Sequence, residues 1–246
     1  MSDEWMPTLK LNLPREEFDR LPRHPAYKYE LIDGVTYISP WPQYSHAQLD
    51  FTRFRVEKDD HANAELRPAR VEDAAALVPV FLGAFAWLQP YGSLSDEQGE
   101  IAAERSLTRT FTDGDGPWIE AASFVALHEG KIAGAILITL LPGGDPADWD
   151  SYRWHEPAPD DLWAKQGGQP HLTWIFVKKF SQGSGVGTQL LAEAVRVLKE
   201  QRYQSLWTTF MVGNDSSVLW HWRNGFELTP NPLSKRRRRR ELLWNV

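Results

Sequence analysis

Apolar residues recur with two different periods along the chain, and the switch between them marks out its elements. Ala75, Leu77, Val78, Phe81, Leu82 and Phe85 fall at helical spacing and predict a helix over Glu72 to Phe85, with Pro79 as a point of kink or break. Asp96 to Thr110 reads as a second, more polar helix. Phe124 to Leu127 and Ile132 to Leu140 are β-prone runs on either side of the turn sequence His128-Glu129-Gly130-Lys131. His171 to Val177 reads as a strand, followed by a glycine-rich turn and a helix to about Gln201. That helix is strongly two-faced: Leu190, Leu191, Ala194, Val195 and Leu198 line one side, and Glu193, Arg196, Lys199 and Glu200 the others. Ser205 to Val212 predicts a strand, Asp215 to Arg223 a short helix ended by Asn224-Gly225, and Phe226 to Leu228 and Glu241 to Trp244 two last β segments. With a short strand at Glu65 to Pro68, the order is βααββ, loop, βαβαββ: an α/β (α+β) domain in which helices cover a sheet.

The first sixty residues have a different texture. They carry Pro7, Pro14, Pro22, Pro25, Pro40 and Pro42, and one hairpin signal in which Tyr27 to Ile32 and Val35 to Ser39 flank Asp33-Gly34. Residues 1–62 are therefore expected to form a small extension, too Pro-rich for a core of its own, packed on a main domain of residues 63–246. Between Leu141 and Pro170 lies a stretch rich in Pro, Gly, Asp and Trp. Loops of that length in compact domains are functional or disordered, and Trp149, Trp154 and Trp163 favour an ordered lid or pocket wall. Those tryptophans suit either a substrate face or a staple on the protein surface. The acidic side chains of Asp145, Asp148, Asp150, Glu156, Asp160 and Asp161 are compatible with a cationic amine and equally with solubility alone.

Composition narrows the chemistry. A chain of 246 residues with 42% hydrophobic and 24% charged residues holds enough apolar material for one large domain, or for one of ordinary size with an attached piece. Cysteine is absent, which removes disulfides, thiolate nucleophiles and cysteine-ligated metals at once. The formal charge of -6 argues against a general nucleic-acid binder, although Lys235 and Arg236 to Arg240 form a basic run suited to a solvated turn or to phosphate. No apolar run is long enough to span a bilayer and no signal peptide pattern opens the chain, so the expectation is a cytoplasmic protein with no membrane partner.

The most informative segment is Gln182-Gly183-Ser184-Gly185-Val186-Gly187-Thr188, between a strand and the two-faced helix. Glycines admit positive φ and let a ligand approach without meeting a Cβ. A helix N-terminus adds unpaired N–H groups and the positive end of a dipole, so the turn is expected to bind phosphate or pyrophosphate. The dinucleotide spacing G-x-G-x-x-G fails because position 188 is Thr, and the Gly-Lys-Ser/Thr ending of an NTPase loop is missing.

Here the sequence resembles the GNAT superfamily of acetyl-CoA-dependent N-acyltransferases. Its signature, Gln/Arg-x-x-Gly-x-Gly/Ala, is matched by Gln182, Gly185 and Gly187. Ile175 and Val177 fit the preceding strand, with Lys179 in place of the usual proline. A second motif is matched by Asn214, Ser217, Trp220, Gly225 and Phe226. The resemblance implies a mixed central sheet with helices on both faces, acetyl-CoA as co-substrate and no metal. It implies that Gln182, Gly183, Ser184, Gly185, Val186, Gly187 and Thr188 bind the pyrophosphate, that the Ile175 to Val177 strand edge binds the pantetheine arm, and that Asn214 and Ser217 lie against the cofactor. It also implies a splay between the central strand and its neighbour. The family's Tyr, which protonates the departing thiolate, aligns with His221; a neutral imidazole is a poor substitute unless a carboxylate raises its pKa.

An ammonium must lose a proton before it attacks a thioester. His171 opens the central strand where some family members carry a catalytic Glu, and the two-residue strand period puts its side chain on the face of Thr173 and Ile175. Glu120 and Glu129 are weaker candidates. Backbone N–H groups near Val177 would stabilise the oxyanion. The expected reaction moves an acetyl group to a small-molecule or protein amine, in a monomer or a homodimer. Two other readings stay open: an acyl-CoA-binding module without turnover, and a toxin-like acetyltransferase of aminoacyl-tRNA that uses the Arg236 to Arg240 run. Tyr29 to Gly34 also resembles the opening of some restriction-endonuclease-like proteins, but no Pro-Asp followed by a Glu-x-Lys strand accompanies it.

Overall fold

The structure, a computed structural model, describes residues 9–22, 27–32, 34–40, 44–54, 64–85, 87–88, 91–141, 163, 165, 167–211 and 215–229. Ten strands and five helices are present among them: β1 (Leu9–Asn12), α1 (Arg15–Arg20), β2 (Tyr27–Ile32), β3 (Val35–Pro40), β4 (Tyr44–Asp50), β5 (Glu65–Pro68), α2 (Ala74–Phe85), α3 (Asp96–Phe111), β6 (Phe124–His128), β7 (Lys131–Leu141), β8 (Gln169–Val177), α4 (Val186–Glu200), β9 (Ser205–Met211), α5 (Asp215–Arg223) and β10 (Glu227–Thr229). The Glu241 to Trp244 segment, the Arg236 to Arg240 run, Trp149, Trp154 and Asn214 lie outside the described residues.

The expected hairpin forms, with Gly34 at φ +80, and β1 pairs with its second strand to give a small sheet of order β1-β3-β2. The main sheet has seven strands in the order β10-β4-β9-β8-β7-β6-β5. One of these corrects the expectation for the N-terminal region. β4, within residues 1–62, pairs antiparallel with β9 along its whole length and with β10 on its other edge. The sequence signal is short: Ala47, Leu49 and Phe51 alternate and are buried, while the polar residues between them hid the pattern.

Each face of the sheet has its own core. On one face lies α4, whose Leu190, Leu191, Ala194, Val195 and Leu198 are buried against Ile136, Ile138, Leu140, Leu172 and Leu206. Each large side chain withdrawn from water there contributes roughly 2 kcal/mol before entropy is counted. On the other face α2 sets Leu77, Val80 and Phe81 against Ala135, Leu137 and Phe176, and α3 adds Ala103, Leu107 and Phe111. The helices thus cover both faces. A capping box starts α3, with Gln98 N–H donating to Ser95 Oγ and Gln98 Oε1 accepting from the Ser95 N–H. Of the kink or break expected at Pro79 there is no break: α2 runs through it from Ala74 to Phe85. The ring is exposed, so the lost hydrogen bond is one to the carbonyl of Ala75, where water can replace it.

Candidate active site

Two features of β8 build the site. The first is its short pairing with β9: the two strands run parallel but are in register only at His171 with Trp207 and Leu172 with Thr208. Beyond that point β8 stays paired to β7 as far as Val177, so β8 and β9 diverge and leave a fork. The Lys178 N–H donates to the Ala133 carbonyl on β7 at 2.7 Å. By the alternation of an antiparallel ladder, Phe176 also points its backbone groups at β7, and the N–H and C=O of Val177 and Ile175 face the open fork. These are the groups expected to meet an extended pantetheine arm.

The second feature is a β-bulge. The register with β7 shifts between Leu137 and Ile138, so Leu137 pairs with Trp174 but Ile138 with Leu172. Thr173 is the extra residue, and the bulge reverses the facing of everything before it. Ile175, Val177 and Leu172 consequently all pack on the α4 side. The expected sharing of one face by His171 and Ile175 is therefore corrected: His171 turns to the opposite side.

At the end of the fork the turn before α4 has the geometry of an anion cradle. Gly183 and Gly185 sit at φ +79 and +82, a region that side chains with a Cβ rarely enter. A Cβ at Gly183 would meet nothing within 4 Å, so that side of the turn is open. Gly185 is the N-cap of α4 with no side-chain cap. The first-turn N–H groups at Val186, Gly187 and Thr188 have no carbonyl four residues back within the helix. Ser184 is committed elsewhere, donating from Oγ to the Ser181 carbonyl at 2.7 Å, and Gln182 is exposed. Gly187 has a further reason to be glycine: its Cβ would lie 3.1 Å from Trp220 Nε1, so α5 closes directly over the first turn of α4.

His171 is buried, with Nδ1 3.1 Å from Thr173 Oγ1 and Nε2 3.1 Å from Thr209 Oγ1. Thr209 is the first β9 residue past the paired stretch, so this histidine stands in the throat of the fork. His221 lies across the sheet. Its Nε2 is 3.4 Å from Thr208 Oγ1, and neighbouring residues of a strand point to opposite faces. The two histidines therefore cannot act as a pair. His221 is 4% exposed, and its Nδ1 donates to the Ser217 carbonyl at 2.7 Å, with Ser217 Oγ at 3.2 Å. Burial, against the opposing pull of the Ser217 carbonyl, pushes its pKa down to about 4. A neutral imidazole with its only N–H turned to a carbonyl is in the wrong state to protonate a thiolate. Ser217 belongs to this buried contact. Glu120 is exposed at the start of the short 3-10 helix Glu120–Ala122, and Glu129 is exposed in the turn between β6 and β7.

The threonines around His171 were missed from sequence, where Thr139 and Thr209 read only as β-prone residues. The one available signal was their number, since Thr139, Thr173, Thr208 and Thr209 set hydroxyls inside strands whose middle residues are mostly apolar. At the end of the long loop, Trp163 stacks on Tyr203 with centroids 5.5 Å apart, and Tyr203 Oη donates to the Gly167 carbonyl. Of the two roles open to the loop tryptophans, this one is a staple.

The acetyltransferase (GNAT) family matches residues 86–226, more than half of the chain, and the chain belongs to that family. No curated protein matches it. Among solved structures it is similar to the PaiA N-acetyltransferase from Thermoplasma acidophilum in complex with coenzyme A, with 15% identity, 69% of this chain and 93% of that one covered, and a TM-score of 0.48. It is also similar to a ribosomal-protein-alanine N-acetyltransferase from Brucella melitensis biovar Abortus 2308, with 16% identity, 64% and 88% covered, and a TM-score of 0.40. The family match begins at residue 86, so it lends nothing to the likeness of Tyr29 to Gly34 to restriction-endonuclease-like proteins. Among the described residues no helix is long and apolar enough to cross a membrane, and no cluster of His, Cys, Asp or Glu could hold a metal ion.

Proposed function

We propose that this chain transfers an acetyl group from acetyl-CoA to a primary amine, with His171 as the base. The observation that carries the reading is the alignment of three things along one fork: a two-glycine anion cradle at its end, free backbone edge at Ile175 and Val177, and a histidine in its throat. The turn from Gln182 to Thr188 binds the pyrophosphate through main-chain N–H groups, and the edge of β8 holds the pantetheine arm. Acetyl-CoA supplies a thioester carbonyl open to attack. His171 Nε2 takes one proton from the ammonium of the acceptor. The freed nitrogen lone pair forms the C–N bond at the carbonyl carbon, backbone N–H groups near Val177 stabilise the oxyanion, and the C–S bond breaks. The second nitrogen proton ends on sulfur through solvent, giving an amide and CoA thiol, and His171 returns its proton to water. His221 has a different part: it ties α5 to β9, and so holds Trp220 over the first turn of α4.

The test is thiol release from acetyl-CoA in the presence of a panel of primary amines, small molecules and peptide N-termini, beside thermal stabilisation by CoA. Turnover with at least one amine is expected. Stabilisation with no thiol release from any acceptor would favour the binding module without turnover.

A further inference from the structure

A chain of hydrogen bonds runs from the α3–β6 loop to His171, and its polarity is fixed at one end. The Asp115 carbonyl can only accept, and Thr139 Oγ1 donates to it at 3.1 Å. Thr139 Oγ1 lies 2.9 Å from Thr173 Oγ1, which lies 3.1 Å from His171 Nδ1. Each hydroxyl has one proton. Thr139 gives its proton to the carbonyl, so Thr173 must give its own to Thr139, and the third contact is left for an N–H on His171. Reversing the order would leave two oxygens, Thr139 Oγ1 and the Asp115 carbonyl, 3.1 Å apart with no proton between them. The weaker alternative for Thr173, the His171 carbonyl at 3.4 Å, also turns its proton away from the ring. Either way Nδ1 carries the hydrogen and Nε2 carries the lone pair.

The carbonyl that sets this polarity is itself held. Arg109 Nε lies 2.8 Å from Asp115 Oδ1, and Thr110 Oγ1 donates to Oδ2 at 2.7 Å. Trp174 Nε1, from β8, donates to the same Thr110 hydroxyl at 2.9 Å. Gly116 next to it is at φ +98 and would put a Cβ 2.1 Å from the Leu140 carbonyl, so the loop is seated on β7. The bulge at Thr173 completes the arrangement, since it brings the Thr173 and His171 side chains together on the face where Thr139 lies.

We propose that Thr139 and Thr173 are positioning residues that lock His171 as its Nδ1–H tautomer and aim the Nε2 lone pair at Thr209 in the throat of the fork. This rests on the reading of His171 as the base and adds what makes it one. In the resting state the Thr209 hydroxyl donates to Nε2. Once Nε2 holds the proton from the acceptor amine, Thr209 turns its hydrogen away and accepts, while Nδ1–H keeps its bond to Thr173, so the imidazolium loses no partner. The arrangement resembles in logic the third group of a catalytic triad, with a hydroxyl pair and a carbonyl replacing a carboxylate.

The experiment is a long-range proton–nitrogen correlation spectrum of the full chain labelled with 15N-histidine, without ligand, above the pH range in which imidazole titrates. The His171 signals are assigned by their loss in His171→Gln. Wild type is expected to show a protonated Nδ1 and a bare Nε2; a proton on Nε2 overturns the proposal, and the tautomer itself is read on the wild-type protein. Thr173→Val is expected to move the proton to Nε2 and to lower kcat/KM roughly 100-fold, the low end of what a positioned base contributes, with acetyl-CoA affinity unchanged. Thr173→Ser is expected to restore both. An Nδ1–H signal that persists in Thr173→Val overturns the proposal, as does full activity in that variant. In Thr139→Val the Thr173 hydroxyl is released to face Nδ1, and the same shift is expected; its absence strikes Thr139 from the proposal. Full activity in His171→Gln would instead sink the base assignment, while leaving the tautomer read from the spectrum untouched.

Discussion

The turn before α4 and the throat of the fork use different parts of the chain. The turn works with backbone: two glycines at positive φ and the first N–H groups of a helix, all within seven consecutive residues. The throat works with side chains drawn from β7, β8 and β9 and a carbonyl from the loop before β6, spread from Asp115 to Thr209. A backbone site tolerates almost any side-chain change that preserves its dihedral angles. A side-chain site fails when one hydroxyl is lost. Binding and chemistry should therefore be separable by mutation.

The largest expected effect is on the chemistry. His171→Gln should lower kcat/KM by roughly 10²–10⁴-fold, the usual contribution of a general base, with the dissociation constant of acetyl-CoA in calorimetry unmoved. A parallel loss of affinity would mean that the two regions are one.

Next comes a pH effect on stability set by His221. Unfolded, its imidazole takes a proton near the ordinary 6.5; folded, only near about 4. Between these values the unfolded chain binds more protons, so stability rises with pH. The contribution is fully present above the ordinary value and is lost as pH falls toward 4, by an amount on the order of 3 kcal/mol. Urea unfolding at neutral and acid pH should show wild type losing that much more than His221→Phe. Equal losses would show that the imidazole is not buried in its neutral form.

Gly185→Val should follow. Forcing a β-branched residue to positive φ costs about 1–3 kcal/mol, which predicts a 5- to 150-fold weaker affinity for acetyl-CoA in a still-folded protein, with turnover at saturating cofactor changed far less. Unchanged affinity would remove the anion cradle from the account. The smallest effect is expected at Arg196, whose ion pairs with Glu193 and Glu200 lie on the exposed face of α4. Exposed pairs of this kind contribute little, so Arg196→Ala should leave melting temperature and affinity within error, as a control for helix substitutions in general.

The same contrast explains what could be read in advance. The glycine turn, the two-faced α4, α5 with its Asn224-Gly225 stop and the strand before the cradle all depend on neighbours a few residues apart, and their boundaries were legible from spacing. The facing of His171 was not. A strand period of two predicts its side chain beside Ile175, and one inserted residue at Thr173, visible only in the pairing with β7, reverses it. His221 was found by aligning a motif, but its neutrality follows from burial against Thr208, Ser217 and Phe226, which no spacing reveals. β4 escaped for a related reason: its partners are at the far end of the chain, and alternation over so few apolar residues is a faint mark.

That strand has a consequence for how the protein is made. Tyr44 to Asp50 meets its partner on β9 roughly 160 residues later, and β10 later still. A pairing this distant in sequence must wait for closure of a very large loop. On the ribosome, Ala47, Leu49 and Phe51 would emerge early and stay uncovered until almost all of the remaining strands had been synthesised. Removing residues 1–62 to isolate the domain would not trim a tail: it would strip out the staple by which β10, the last of the described strands, is fastened to the rest of the sheet.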